Sequence, residues 1–90
     1  MSIQIRIHRN LRHLTNGKSI VNVKGNTVGE CLYDLVKQFP GIHSELFDGK
    51  GNLLNHVEIY VNSESSYPEE LAKPVNEGDE LSVIIMIAGG

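Results

Sequence analysis

The last two residues, Gly89 and Gly90, are the ones whose type and position most suggest chemistry. Glycine weakens a strand and loses more entropy than other residues when it is ordered, so two glycines after an apolar strand need an explanation. Fully extended, residues 87–90 span ~13 Å, and the last two can enter a narrow channel because they have no side chains. This predicts a flexible tail, 87–90, that carries the carboxylate of Gly90 to the active site of another protein. The alternative is a frayed terminus, or a sequence boundary that happens to fall at glycine.

Cys31 is the single cysteine and the next candidate for chemistry. It lies on an apolar stripe beside Leu32 and Leu35, with no nearby base to lower its pKa, so we predict a packed and unreactive thiol. One cysteine cannot form an intramolecular disulfide. The histidines show neither ligand spacing nor a CxxC partner, so no metal site is predicted. They are His8, His13, His43 and His56.

Composition excludes several classes of function. The 90 residues suffice for one domain, 1–90, and 40% hydrophobic content favours a folded chain. A net charge of −3 argues against nucleic-acid binding, which needs a concentrated basic face. The only basic cluster consists of Arg6, Arg9 and Arg12, and we interpret it as a solvated strand edge and turn. No apolar run approaches the ~20 residues of a membrane helix, and no signal-peptide core is visible. We therefore expect a cytoplasmic protein.

Hydrophobic periodicity predicts the elements that must position the tail. Residues 3–7 alternate as a half-buried strand, Asn16-Gly17 predicts a turn, and 20–23 form a second strand. Thr27 and Glu30 fit a helix capping box. The helix that follows carries one apolar stripe, formed by Val28, Cys31, Leu32, Leu35, Val36 and Phe39.

The second half predicts a short helical piece at 44–47, a strand at 57–61, a polar turn at 62–66 and a last apolar strand from Leu81 to Ile85. A single helix and a strongly apolar last strand suit an α+β fold. We expect a mixed sheet of four to five strands, with the helix on one face and the first and last strands parallel at the centre.

These pieces, in this order, resemble the ubiquitin-like sulfur carriers with the β-grasp fold. Members are the small subunit of molybdopterin synthase, the thiamine-pathway sulfur carrier and a carrier that feeds cysteine synthesis. The resemblance covers the whole chain, and its order and spacing are more specific than any one piece. The matching pieces are strand 3–7, Thr27-Val28-Gly29-Glu30, Val57-Glu58-Ile59-Tyr60-Val61-Asn62, Gly78-Asp79-Glu80-Leu81 and Ala88-Gly89-Gly90.

The resemblance implies a protein cosubstrate and not an enzyme. An adenylating enzyme would use ATP to convert the Gly90 carboxylate into an acyl-adenylate, and a sulfur donor would displace AMP to leave a thiocarboxylate. That group would deliver sulfur to an acceptor enzyme of cofactor or amino-acid biosynthesis. No bound cofactor is expected, because the partner enzyme uses the ATP.

One departure leaves the acceptor open. The synthase subunit and the cysteine-pathway carrier place proline before the tail, whereas this chain has Ile85-Met86. The length of this chain nevertheless favours the synthase subunit and the cysteine-pathway carrier over the thiamine carriers. Two other functions stay open: a ubiquitin-like modifier attached to lysines through Gly90, and a plain interaction domain in which removing Gly89-Gly90 has no effect.

Strand alternation also predicts a partner-binding surface. If Leu81, Val83 and Ile85 face the core, Ile84 and Met86 face outward, and Tyr60 does so on the neighbouring strand. Exposed apolar clusters of this kind often mark interaction sites. The predicted partner-binding residues are Tyr60, Ile84, Met86 and Ile87, unless the last strand is buried on both faces.

Overall fold

Alternating isoleucines form the first strand of the computed structural model, which describes residues 3–86. Strand β1, Ile3–Arg6, buries its isoleucines and exposes the residues between them. It pairs antiparallel with β2, Ile20–Val23. Their connection contains a 3₁₀ turn at Arg9–Leu14 and the predicted Asn16-Gly17 turn, where φ is 55° and 80°. The predicted hairpin is confirmed.

Helix α1, Val28–Gln38, begins with the predicted capping box. The Glu30 backbone N–H donates to Thr27 Oγ1 at 3.1 Å. The Glu30 carboxylate accepts from the backbone N–H of Asn26 at 2.8 Å, one residue before the N-cap, so both partners satisfy free amides at the helix start. The predicted stripe faces the sheet: Val28, Cys31, Leu32 and Leu35 are buried, and Val36 and Phe39 are half-buried.

A short helix α2, His43–Leu46, and strand β3, Val57–Val61, follow as predicted. The expected polar turn at 62–66 is wrong in part. The chain reverses within two residues, Asn62 and Ser63, at φ values of 50° and 72°. Because the reversal takes only two residues, the next two can form a strand, β4, Glu64–Ser65, that pairs antiparallel with β3.

Strand β5, Glu80–Ile85, completes a five-stranded sheet in the order β2-β1-β5-β3-β4. It runs parallel to β1 and antiparallel to β3. Its strong apolar character follows from this position between two strands. The predicted mixed sheet, with the first and last strands parallel at its centre, is confirmed.

The segment between β4 and β5 closes one side of the core. Val75 is buried, and Leu71 is half-buried in a 3₁₀ turn at Glu70–Ala72 that packs on α1. A Cβ at Gly29 would lie 3.0 Å from the carbonyl oxygen of Leu71, so the helix and this turn approach each other closely. Within residues 3–86, no helix has the length and apolar character needed to cross a membrane.

Candidate functional site

The base of the predicted tail is held by the sheet. The backbone N–H of Met86 donates to the carbonyl oxygen of His56 at 2.7 Å, one residue beyond the end of β5. Ile87, Ala88, Gly89 and Gly90 lie outside the described residues, so the reactive carboxylate and the tail remain predictions. The structure defines where this tail would begin.

Three of the four predicted partner-binding residues lie on the sheet face that points away from α1. In the pairing of β3 with β5, Ile84 lies opposite Glu58, and Tyr60 lies opposite Ser82. Tyr60 and Ile84 are half-buried, and Met86 is 46% exposed. The strand is therefore not buried on both faces. The structure brings these three side chains to one surface, while Ile87 lies outside the described residues.

A groove of about 430 Å³ lies beside Met86 on the β3 side of this surface. Leu53, Leu54 and the ring of Tyr67, which is 73% exposed, contribute its apolar lining. Glu58 and Glu70 add carboxylates. No pattern in the sequence predicted this groove. The available signal was an adjacent pair of leucines in a turn-rich segment, which fit neither the strand nor the helix periodicity.

The arginine cluster lies on the opposite side of β5. Arg6, Arg9 and Arg12 line a groove of about 240 Å³ together with Ile84. Arg6 forms an ion pair with Glu80 at 3.3 Å, and Arg12 Nε donates to the carbonyl oxygen of Ile7 at 3.1 Å. The interpretation as a simple solvated edge was incomplete, because Arg6 on β1 and Arg9 and Arg12 in the 3₁₀ turn line this groove together with Ile84 of β5.

Cys31 is fully buried in the core, as predicted. Burial raises the pKa of its thiol to about 11, and the nearby carboxylates of Asp34 and Glu30 add to the rise. Such a thiol forms almost no thiolate at neutral pH. Among residues 3–86 no group of three potential metal ligands is present.

Two sequence pieces that carried the resemblance meet in space at the start of β5. The Asn62 amide donates to Asp79 Oδ1 at 3.0 Å, and Asn62 Oδ1 accepts from the Glu80 backbone N–H at 2.9 Å. Asp79 Oδ2 accepts from the Asn76 backbone N–H at 2.8 Å. The bond from Asn76, followed by that from Asn62, lowers the pKa of Asp79. These bonds fix the turn that leads into β5.

Comparison with known proteins gives consistent matches. Residues 5–90 match the ThiS family. The chain is 33% identical over 93 residues to the sulfur carrier protein CysO of Mycobacterium tuberculosis, covering 100% of both chains. It is 34% identical over 71 residues to small archaeal modifier protein 1 of Haloferax volcanii, covering 78% of each.

Comparison with solved structures finds a protein of the same kind. The crystal structure of the Amycolatopsis orientalis BexX/CysO complex contains a chain that matches with a TM-score of 0.89 at 31% identity, covering 98% of this chain and 99% of that one. This structural similarity, together with a mixed five-stranded sheet and one main helix on one face, confirms the predicted ubiquitin-like β-grasp fold. That relative was crystallised with a protein partner.

Proposed function

The chain belongs to the ThiS family, and from this premise we propose that it is a sulfur carrier whose Gly90 carboxylate is adenylated and then converted to a thiocarboxylate. The observation that carries the proposal is the full-length similarity to the sulfur carrier CysO, together with a family match that extends to residue 90. The β-grasp fold and the tail base held at Met86 support it.

The proposed reaction has two steps, the first at the α-phosphorus of ATP and the second at the carbonyl carbon of Gly90. A carboxylate oxygen of Gly90 attacks the α-phosphate of ATP, and pyrophosphate leaves. Hydrosulfide then attacks the acyl carbon and AMP leaves with the bonding electrons, which gives the thiocarboxylate. If the donor is an enzyme persulfide, the first product is an acyl disulfide, and a second thiol must cleave its S–S bond. AMP is needed because a carboxylate oxygen is otherwise a poor leaving group.

The carrier's own contribution is reach and recognition, and the partner enzymes supply catalysis. We assign the surface of Tyr60, Ile84, Met86 and Ile87 to contact with the adenylating enzyme. No cofactor is required on the carrier, since ATP binds to that enzyme. We propose that the acceptor belongs to cofactor or amino-acid biosynthesis, for which molybdopterin, thiamine and cysteine are the examples in this family, and that the reaction takes place in the cytoplasm.

A second candidate is a ubiquitin-like modifier. The 34% identity to small archaeal modifier protein 1 favours it. The acyl group of the same acyl-adenylate would then be transferred to lysine amines of target proteins with release of AMP, so the two functions share activation and differ in product. A thiocarboxylate identifies the carrier, and an isopeptide bond to lysine identifies the modifier.

The test is intact-mass measurement after incubation with the cognate adenylating enzyme, ATP and sulfide. We expect a gain equal to the replacement of one oxygen by sulfur, mapped by fragmentation to Gly90. A chain lacking Gly89-Gly90 is the control and should stay unmodified. Sulfur mapped to Cys31 with Gly90 unchanged would contradict the proposal.

A further inference from the structure

The basic groove on the β1 side of β5 combines two chemistries. Arg6, Arg9 and Arg12 line it together with the half-buried side chain of Ile84, and the buried residues Ile7 and Val83 complete its lining. We use the name basic groove for these six residues. Three of the chain's eight Lys and Arg residues meet here, although the whole chain carries a net charge of −3. The groove is therefore a local positive region on an acidic protein.

The three arginines are not equally available. The Arg6 guanidinium is paired with Glu80 at 3.3 Å, and Arg12 uses its Nε on the carbonyl oxygen of Ile7. Arg9 is exposed, and Arg6–Glu80 is the one ion pair within residues 3–86. Arg9 is thus the arginine of the groove best placed to meet an outside anion.

The groove lies beside the base of the tail. Strands β1 and β5 are parallel, with Arg6 opposite Ser82, so their carboxyl ends lie at the same edge of the sheet. Ile84 belongs both to the groove and to the outward face with Tyr60. Met86 follows two residues later, ~7 Å along an extended strand. The groove therefore lies close to the point where residues 87–90 begin.

Resting on the proposed function, we propose that the basic groove docks an acidic segment of the adenylating enzyme, with Arg9 as its principal charge contact. The accessible part of Ile84 favours a peptide over a free phosphate, because a phosphate gains nothing from contact with an apolar side chain. Two of the guanidinium groups already have intramolecular partners, so the groove is not a dedicated phosphate cradle. Complementary charge at such a surface increases the association rate and orients the partner.

The test compares the affinity of the adenylating enzyme for the full chain and for Arg9→Glu. We expect Arg9→Glu to weaken binding at least about tenfold at an ionic strength of about 0.05 M, and Arg9→Gln to weaken it less. The difference should shrink at about 0.5 M salt because of screening. Lys50→Glu is the matched control: it changes net charge equally at an exposed loop position outside the groove, and should bind like the wild type.

Steady-state adenylation separates docking from chemistry. Arg9→Glu should raise the KM for the carrier and reach the wild-type kcat, since Arg9 does not contact the reacting atoms. Circular dichroism should show the wild-type fold. If Arg9→Glu and Lys50→Glu bind equally well while the wild type is adenylated, the docking proposal is wrong and the carrier function stands. If the wild type is not adenylated at all, both are wrong.

A titration of the carrier alone with inorganic tripolyphosphate, followed by amide chemical shifts, addresses the other source of negative charge. The proposal expects weak, non-saturating shifts. Tight saturable binding at Arg9, with enzyme affinity unchanged in Arg9→Glu, would identify an anion site and overturn the docking proposal.

Discussion

The thiol of Cys31 is enclosed by the core, with the carboxylates of Glu30 and Asp34 nearby on the same helix. Both burial and negative charge oppose thiolate formation, so the pKa rises to about 11. A persulfide carrier needs the opposite environment: exposure, and neighbouring positive charge. The residue that is chemically reactive as a free amino acid is therefore inert in this fold.

We predict that Cys31→Ala keeps thiocarboxylate formation intact and lowers the free energy of unfolding by on the order of 1 kcal/mol through lost packing. Urea denaturation and intact-mass measurement check the two parts. Loss of sulfur transfer in a folded Cys31→Ala protein would prove a structural role wrong.

The same variant tests the raised pKa. The folded state holds the thiol proton to a higher pH than the unfolded state, in which the pKa is about 9. This contribution to stability is complete below pH 9 and is lost as pH rises toward 11. The stability of the wild type should therefore fall more steeply than that of Cys31→Ala between these values.

Asp79 should give a pH dependence of stability opposite to that of Cys31. Its pKa is lowered because the carboxylate accepts from the Asn76 backbone N–H and the Asn62 amide. The stabilisation is present above the pKa of the unfolded state, about 3.9, and is lost as pH falls through the lower folded value. Asp79→Asn should reduce stability at pH 7 and flatten the acid limb of the stability curve. Glu77→Gln, an exposed change in the same turn, is the control and should leave the acid limb as in the wild type.

At the scale of elements, β5 carries two different faces. Val83 is 2% exposed and faces the core, whereas its neighbour Ile84 is half-buried on the outward face. Substitutions at adjacent positions on this strand should therefore have unlike consequences, one for folding and the other for recognition.

Accordingly, Ile84→Asp should fold and weaken binding to the adenylating enzyme by more than ~1 kcal/mol. Val83→Asp should unfold the protein, because it buries a charge without a partner. Asn22→Asp, which adds the same charge at an exposed position of β2, controls for charge alone. Calorimetric titration and thermal unfolding measure the two effects. Native folding of Ile84→Asp with unchanged affinity would exclude this surface.

At the scale of the molecule, local signals predicted most of the fold. The alternation from Ile3 to Ile7 and the Thr27/Glu30 cap act over a few residues, so they are readable without tertiary contacts. β4 was harder to predict because two polar residues carry no periodicity. Its pairing depends on the left-handed turn at Asn62-Ser63.

The candidate site was predictable where it follows strand alternation, and less so elsewhere. The alternation of side chains along β3 and β5 correctly placed Tyr60 and Ile84 on the outward face of the sheet. The two grooves bring together residues such as Leu53 with Met86, and Arg9 with Ile84, that are far apart in sequence. Only the folded structure shows these juxtapositions, since no local pattern links the segments.

The position of β5 has a consequence for synthesis. Among residues 3–86, β5 is the last strand to leave a ribosome, yet β1 and β3 both have it as a neighbour. A chain that stops before Glu80 leaves the edges of β1 and β3 without their shared partner, and such edges and the apolar surface behind them favour aggregation and proteolysis. The same incomplete chain also lacks residues 87–90. Truncated products thus lose the fold and the tail together, and under the proposed function they would not compete with the intact chain for the adenylating enzyme.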